Sequence, residues 1–381
     1  MLGMHSINYR LRPRGWATAA LVPFVLLLAG CAGSGASASA ASSATAAANP
    51  TPSAATTPAS GAATASASTP AAAASSPSAA ITGQTVQVLY AGSLVNLMEK
   101  GIGPAFQKAT GARYLGQGAG SVALANAIKD RTKFADVFIS ADPTVNASLM
   151  GPPNGSWVSW YVLFARTSMV LGYNAHSKFA ADFQKAKAGS LPWYQVLEEP
   201  GLRLGRTDPN LDPKGYHTLF LFDLAQGYYH LPDLGQKVLG ADSNPAQIFP
   251  EETLVSRLQS GALDAGFFYL NEAVEQNIPY ITLPDEINQS QPSLAATYAR
   301  VSWTSSKGHT VKGSPILYTA TTVSQSKYPA AAAAFIKYLL SADGQKIMQQ
   351  HGLLPSPVLY GGSEAQMPAS LHSLVKGQYS G

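Results

Sequence analysis

Cysteine is almost missing from this 381-residue chain. Cys31 is the only one, so an internal disulfide is excluded. Charge is scarce too, at 12% of residues, with 25 basic against 21 acidic side chains. The basic residues form no stripe of the kind that follows a phosphate backbone, which argues against a nucleic-acid surface. Past residue 30 no apolar run is long enough to span a bilayer. The seven histidines, His5, His176, His217, His230, His309, His351 and His372, contain no His-x-x-x-His pair, and no Gly-x-Ser-x-Gly elbow accompanies them. The usual marks of a zinc or serine hydrolase are therefore missing. There is no internal repeat.

What is present begins with an N-terminal signal. Arg10, Arg12 and Arg14 precede an apolar stretch over residues 16–30 that is too short for a good transmembrane helix and reads as secretory. Its ending, Leu28-Ala29-Gly30-Cys31, resembles the bacterial lipobox. That resemblance implies a lipoprotein signal over residues 1–31, with Cys31 lipid-modified and N-terminal after cleavage. Residues 32–84 read as a disordered linker: through residue 80 they are almost wholly Ala, Ser, Thr, Pro and Gly, without one charged side chain. Such a segment has little to bury and cannot repay its ordering entropy. Loss of the signal removes three arginines and leaves 22 basic against 21 acidic residues, a net charge of +1. The sequence pI of 8.9 overstates the basicity of the mature chain.

The remaining residues, about 300, suffice for two lobes with separate cores. Residues 86–90 alternate as a strand and lead into Ala91-Gly92-Ser93; residues 112–115 lead into Gly118-Ala119-Gly120-Ser121. Each turn precedes a helical pattern, over residues 94–109 and 121–128, so its hydroxyl and amides would crown a helix N-terminus, a geometry that holds an anion. Alone, either serine reads as an ordinary helix cap; two such turns are better evidence for an anion than one. Strands are expected at 136–140, 156–164, 168–173, 202–207, 246–249, 264–269 and 280–283. Residues 298–303 and 316–322 are expected to return to the first lobe. Helices are expected at 216–229, 251–258, 272–276, 330–340 and 345–351. Alternating strands and helices with polar turns at strand ends give an α/β fold with its ligand at the carboxyl ends of the strands. Three further polar residues, Asp212, Glu251 and Tyr269, fall at such strand-end, helix-start positions.

The stretches Tyr90-Ala-Gly-Ser-Leu94, Ala135-Asp-Val-Phe-Ile-Ser-Ala-Asp142, Trp160-Tyr-Val-Leu-Phe164, Asp208-Pro-Asn-Leu-Asp-Pro-Lys-Gly-Tyr216, Asp264-Ala-Gly-Phe-Phe-Tyr269 and Leu283-Pro-Asp-Glu-Ile-Asn288 resemble the periplasmic binding proteins of molybdate and tungstate ABC transporters. The tungstate/molybdate branch is the nearer. The resemblance spans roughly residues 85–355 and implies a two-lobed, type II Venus-flytrap fold. Lobe 1 would comprise residues 85–165 and 296–381, and lobe 2 residues 166–295. It further implies oxyanion ligands at Ser93, Ser121 and Tyr269, with Asp212 and Glu251 ligating the metal of the bound oxyanion directly; Glu252, Glu272 and Glu286 compete with Glu251 for the second carboxylate. No cofactor, no catalysis and no nucleic acid are implied. The implied partners are an ABC permease with its ATPase, and the membrane through the Cys31 anchor, for a monomer on the extracytoplasmic face.

Carboxylates in a dianion site need a physical reason, since each like-charge contact at ~4 Å and an effective dielectric of ~20 costs about 4 kcal/mol. Direct ligation supplies it, because Mo(VI) and W(VI) are hard centres and carboxylate oxygen is a hard donor. Expansion to six-coordination would then separate these oxyanions from sulfate and phosphate. A sulfate, phosphate or ferric-iron binder on the same fold, with Tyr161 and Tyr228-Tyr229 as iron candidates, remains the alternative, followed by an enzyme.

Overall fold

The computed structural model describes residues 81–380, so the expected signal, Cys31 and most of the expected linker lie outside the described residues. The strands in chain order are β1 (Thr85–Ala91), β2 (Arg113–Ala119), β3 (Val137–Ser140), β4 (Trp160–Arg166), β5 (Met169–Tyr173), β6 (Leu204–Gly205), β7 (Ala265–Tyr269), β8 (Tyr280–Thr282), β9 (Ser302–Thr304), β10 (Thr310–Lys312), β11 (Leu317–Thr322) and β12 (Leu354–Gly362). They build a six-stranded sheet in the order β12-β4-β11-β3-β1-β2, a four-stranded sheet in the order β6-β7-β5-β8, and a β9–β10 hairpin. β1 runs parallel to β2 and β3, whereas β4, β11 and β12 pair antiparallel. In the second sheet only β6 and β7 are parallel. The α/β, two-lobed expectation is met, one sheet to each lobe.

The largest core is continuous across both sheets, not one core per lobe as expected, and it follows from strands that are apolar throughout. β4 is buried along all but its last residue and β5 along its whole length, as expected for strands covered on both faces. Helix Pro329–Leu340 lays Phe335, Ile336 and Leu339 into the core that also holds Val88, Ile139 and Val162 of the first sheet. Helix Pro213–Tyr229 is buried along residues 213–222, with Leu221 and Phe222 in a core shared with Leu171 and Phe267 of the second. Each such side chain contributes about 1.5–3 kcal/mol. The chain crosses between sheets at Thr167-Ser168 and returns just before β11. The two crossings touch, Thr167 N–H donating to the Ile316 carbonyl at 3.2 Å.

Three local expectations are corrected. Residues 94–109 are helical throughout but not one regular α-helix: a 3-10 turn (Gly92–Leu94) leads in, a π turn (Leu97–Ile102) widens the run and an α-helix (Gly103–Thr110) completes it, the widening falling where Pro104 offers no N–H to the ladder. Residues 246–249 are not a strand. The N–H groups of Gln247 and Ile248 both turn back to the Asn244 carbonyl, leaving one bridge between Ile248 and Arg206. Residues 298–303 do not rejoin the first sheet: Tyr298 ends a short helix and Trp303 sits in the hairpin, its ring stacked on Tyr216 at 6.2 Å.

Candidate functional site

Each candidate residue sits at or just before the start of a helical turn, and Ser93, Ser121 and Tyr269 do so directly at a strand end. Ser93 follows β1 in the Gly92–Leu94 turn, and Ser121 opens helix Ser121–Lys129 after β2. Neither serine caps its helix. The Ser93 hydroxyl lies 2.9 Å from the Tyr318 hydroxyl, and Ser121 Oγ accepts the Ala141 N–H at 3.2 Å. From the other lobe, Asp212 is the N-cap of helix Pro213–Tyr229, Glu251 opens helix Glu251–Gln259, and Tyr269 ends β7 ahead of helix Leu270–Glu275. All five are buried, Glu251 the least so at 6% exposure.

The two lobes bring these residues together. Gly92 N–H donates to Glu251 Oε2 at 3.0 Å, Asn271 Nδ2 to the Ser93 carbonyl at 2.7 Å, and Ala123 N–H to the Leu211 carbonyl at 3.0 Å. The glycines of the two turns make room for this. A Cβ on Gly92 would stand 2.5 Å from Glu251 Oε2, and one on Gly120 would stand 2.6 Å from the Leu211 carbonyl oxygen and 3.2 Å from Asp212 Cβ. Behind the site, the Tyr216 hydroxyl donates to Asp142 Oδ2 at 2.9 Å.

Two atoms of the candidate set have no partner. Asp212 Oδ1 accepts the Lys214 N–H at 2.7 Å; Asp212 Oδ2 is buried with no donor on it, the Glu251 carboxyl standing beside Asp212, and the Tyr269 hydroxyl is buried without a hydrogen bond. An unpaired buried polar atom costs about 1–3 kcal/mol; Asn146 Nδ2, Thr207 Oγ1 and His217 Nε2 are unpaired as well, and Asp212 Oδ2 and the Tyr269 hydroxyl are the two that fall in the candidate set. A profile of the bacterial extracellular solute-binding protein family matches residues 86–354. The chain belongs to that family.

Among relatives of this solute-binding protein, one from Methanoculleus marisnigri, also a solute-binding protein, is 32% identical over 317 residues, covering 76% of this chain and 86% of the relative. A molybdate/tungstate-binding protein of Thermococcus kodakarensis is 32% identical over 286 residues, covering 69% and 78%. One of the same description from Pyrococcus abyssi is 33% identical over 282 residues, covering 68% and 79%.

The electrostatics of the solute-binding protein centre on a residue that the sequence reading passed over. Lys214 is wholly buried, its ammonium 2.8 Å from both oxygens of Glu272 and 3.2 Å from Glu251 Oε1. Burial opposes its charge, yet Glu272, Glu251 and Asp212 together hold its pKa above the ordinary lysine value. Burial, and next the Glu251 charge, push the Asp212 carboxyl up. Glu272 is raised by burial, against the pull of Lys214. Burial, and then the Asp212 charge, keep the Tyr269 phenol neutral. Of the carboxylates competing with Glu251, Glu252 and Glu286 are exposed and Glu272 is buried. Asn271 was also missed. Besides holding Ser93, it accepts from Thr167 at 2.9 Å and Tyr318 at 3.2 Å. The one sequence signal for Lys214 was its place inside the Asp-Pro-Lys-Gly loop; for Asn271 there was none. Tyr228, one of the iron candidates, is 45% exposed on the outer side of its helix.

Proposed function

We propose that the protein captures molybdate or tungstate between its lobes and delivers it to an ABC permease with its ATPase. The observation that carries this reading is the pair of unpaired buried atoms, Asp212 Oδ2 and the Tyr269 hydroxyl, on segments whose neighbours Leu211, Glu251 and Asn271 meet the serine turns of the other lobe. Ser93, Ser121 and Tyr269 would hold oxo groups. Asp212 and Glu251 would each give the metal one oxygen, taking a tetrahedral oxyanion to six-coordination. Glu251 Oε2 now accepts the Gly92 amide, so a bound oxyanion would compete for that donor. The molybdate/tungstate-binding relatives support the ligand class.

The function is capture, closure and release, without catalysis or a resident cofactor. Ligand bridging the lobes would favour the closed state, which the permease would read. Lobe 1 would take residues 85–165 and 296–381 and lobe 2 residues 166–295; the membership of the two large sheets supports this division except at the β9–β10 hairpin, which joins neither and packs on Tyr216. The chain would work as a monomer on the extracytoplasmic face, tethered by residues 32–84 to a lipid on Cys31. Titration calorimetry of the purified protein tests the ligand. Heat from tungstate or molybdate with none from sulfate, phosphate or Fe³⁺ is expected; tight binding of sulfate or iron, with no response to tungstate, overturns the proposal.

A further inference from the structure

We propose that the Lys214 side chain, held in place by Glu272, is a positioning residue that limits Glu251 to a single donor oxygen, as the helix cap on the backbone N–H of residue 214 limits Asp212, and so sets the preference for metal oxyanions over sulfate. The inference rests on the oxyanion reading above. Lys214 is tied to three of the five candidate ligands. Its backbone N–H holds Asp212 Oδ1 at 2.7 Å, and its ammonium holds Glu251 Oε1 at 3.2 Å. Through Glu272, whose Oε2 accepts the Tyr269 N–H at 2.9 Å, it reaches the backbone of Tyr269 as well. One oxygen of each carboxylate is thereby engaged on the Lys214 side. Asp212 Oδ2 is left without a partner, and Glu251 Oε2 reaches across to the Gly92 turn.

That arrangement has a coordination consequence. A four-oxo centre needs two more oxygens to become six-coordinate. Two carboxylates with one oxygen pinned supply two, whereas unpinned carboxylates could each chelate. Sulfur in sulfate takes no further ligand, so sulfate would meet the carboxylates as repelling charges only.

The rival role is structural: Lys214 as no more than a counter-ion for the buried Glu272. Breaking a buried pair from one side is severely destabilising, while replacing both partners by apolar residues is often neutral. The double variant K214M/E272M therefore separates the two roles. Wild-type, double-variant and E272Q proteins are titrated with tungstate, molybdate and sulfate, and thermal melts report folding. For the folded double variant the expected result is a loss of tungstate affinity of about 30-fold or more, with a narrowed tungstate-to-sulfate ratio. Tungstate affinity within about threefold of wild type and an unchanged ratio would assign Lys214 to charge balance alone and overturn the proposal. Should the double variant not fold, isosteric E272Q decides, with a drop of about tenfold expected and wild-type affinity overturning it. Failure of the wild-type protein to bind tungstate or molybdate sinks the functional reading itself; wild-type binding with indifferent variants sinks only this inference.

Discussion

D212N separates the two jobs of Asp212. Its Oδ1 caps helix Pro213–Tyr229 at 2.7 Å, and its Oδ2 is the unpaired atom in the site. Asn caps a helix as well as Asp does, whereas Ala gives up about 1 kcal/mol. D212N should therefore melt at or above the wild-type temperature without ligand, because at any pH where the carboxyl is ionised it also removes a buried charge beside Glu251. D212A should melt roughly 2–4 °C lower per kcal/mol lost. Burial holds the Asp212 carboxyl above its ordinary value in the folded protein, so the folded state keeps a proton that the unfolded state has released. Unliganded stability then falls as pH rises above ~4, until the folded carboxyl also ionises. D212N should lack that fall. Tungstate tells the other half: losing a charged oxygen donor costs at least about 1.5–3 kcal/mol, or roughly 10- to 150-fold in affinity. Scanning calorimetry and titration calorimetry on the three proteins read both effects. D212N that binds tungstate like wild type, or that melts as low as D212A, would refute the division of labour.

Other perturbations follow from the same geometry. G120A should weaken oxyanion binding by roughly 5- to 150-fold in titrations, since its methyl would press on the Leu211 carbonyl oxygen at 2.6 Å and a clash of this kind costs about 1–3 kcal/mol. N271A should lower the melting temperature through about 1–3 kcal/mol of lost or orphaned polar contacts at Ser93, Thr167 and Tyr318. Glu275, which meets His351 of the other lobe at 2.9 Å, is raised to about 8 by burial and then by Glu272, with Lys100 acting against them. Between pH ~6.5 and 8 His351, lowered by burial and by Lys100, is neutral, so stability should decline with rising pH by at most about 1.4 kcal/mol per unit. Melts of E275Q across that window should be flatter.

Much of the site could be read from the chain because turn chemistry is local. Asp212-Pro213 is a cap followed by a proline at the first helical position, and Gly120-Ser121 is a turn opening a helix; both signals lie within a few residues. Lys214 was not legible for the opposite reason. One position after a proline it looks like a solvated loop lysine, and its partners Glu251 and Glu272 lie 37 and 58 residues away. Trp303 fails similarly: its apolar neighbourhood suits a strand of the main sheet, yet the surface it covers is Tyr216 on a distant helix. At residues 246–249 the β-like composition lost to the Asn244 turn, whose carbonyl takes the amides a strand would need.

The central claim, that carboxylates of this protein ligate the metal of the oxyanion, is tested most directly by tungsten L-edge X-ray absorption on the tungstate complex. The account predicts a six-coordinate centre in the wild-type complex and loss of one oxygen neighbour in D212N. A four-coordinate tetrahedral spectrum for the wild-type complex, indistinguishable from free tungstate, would contradict it.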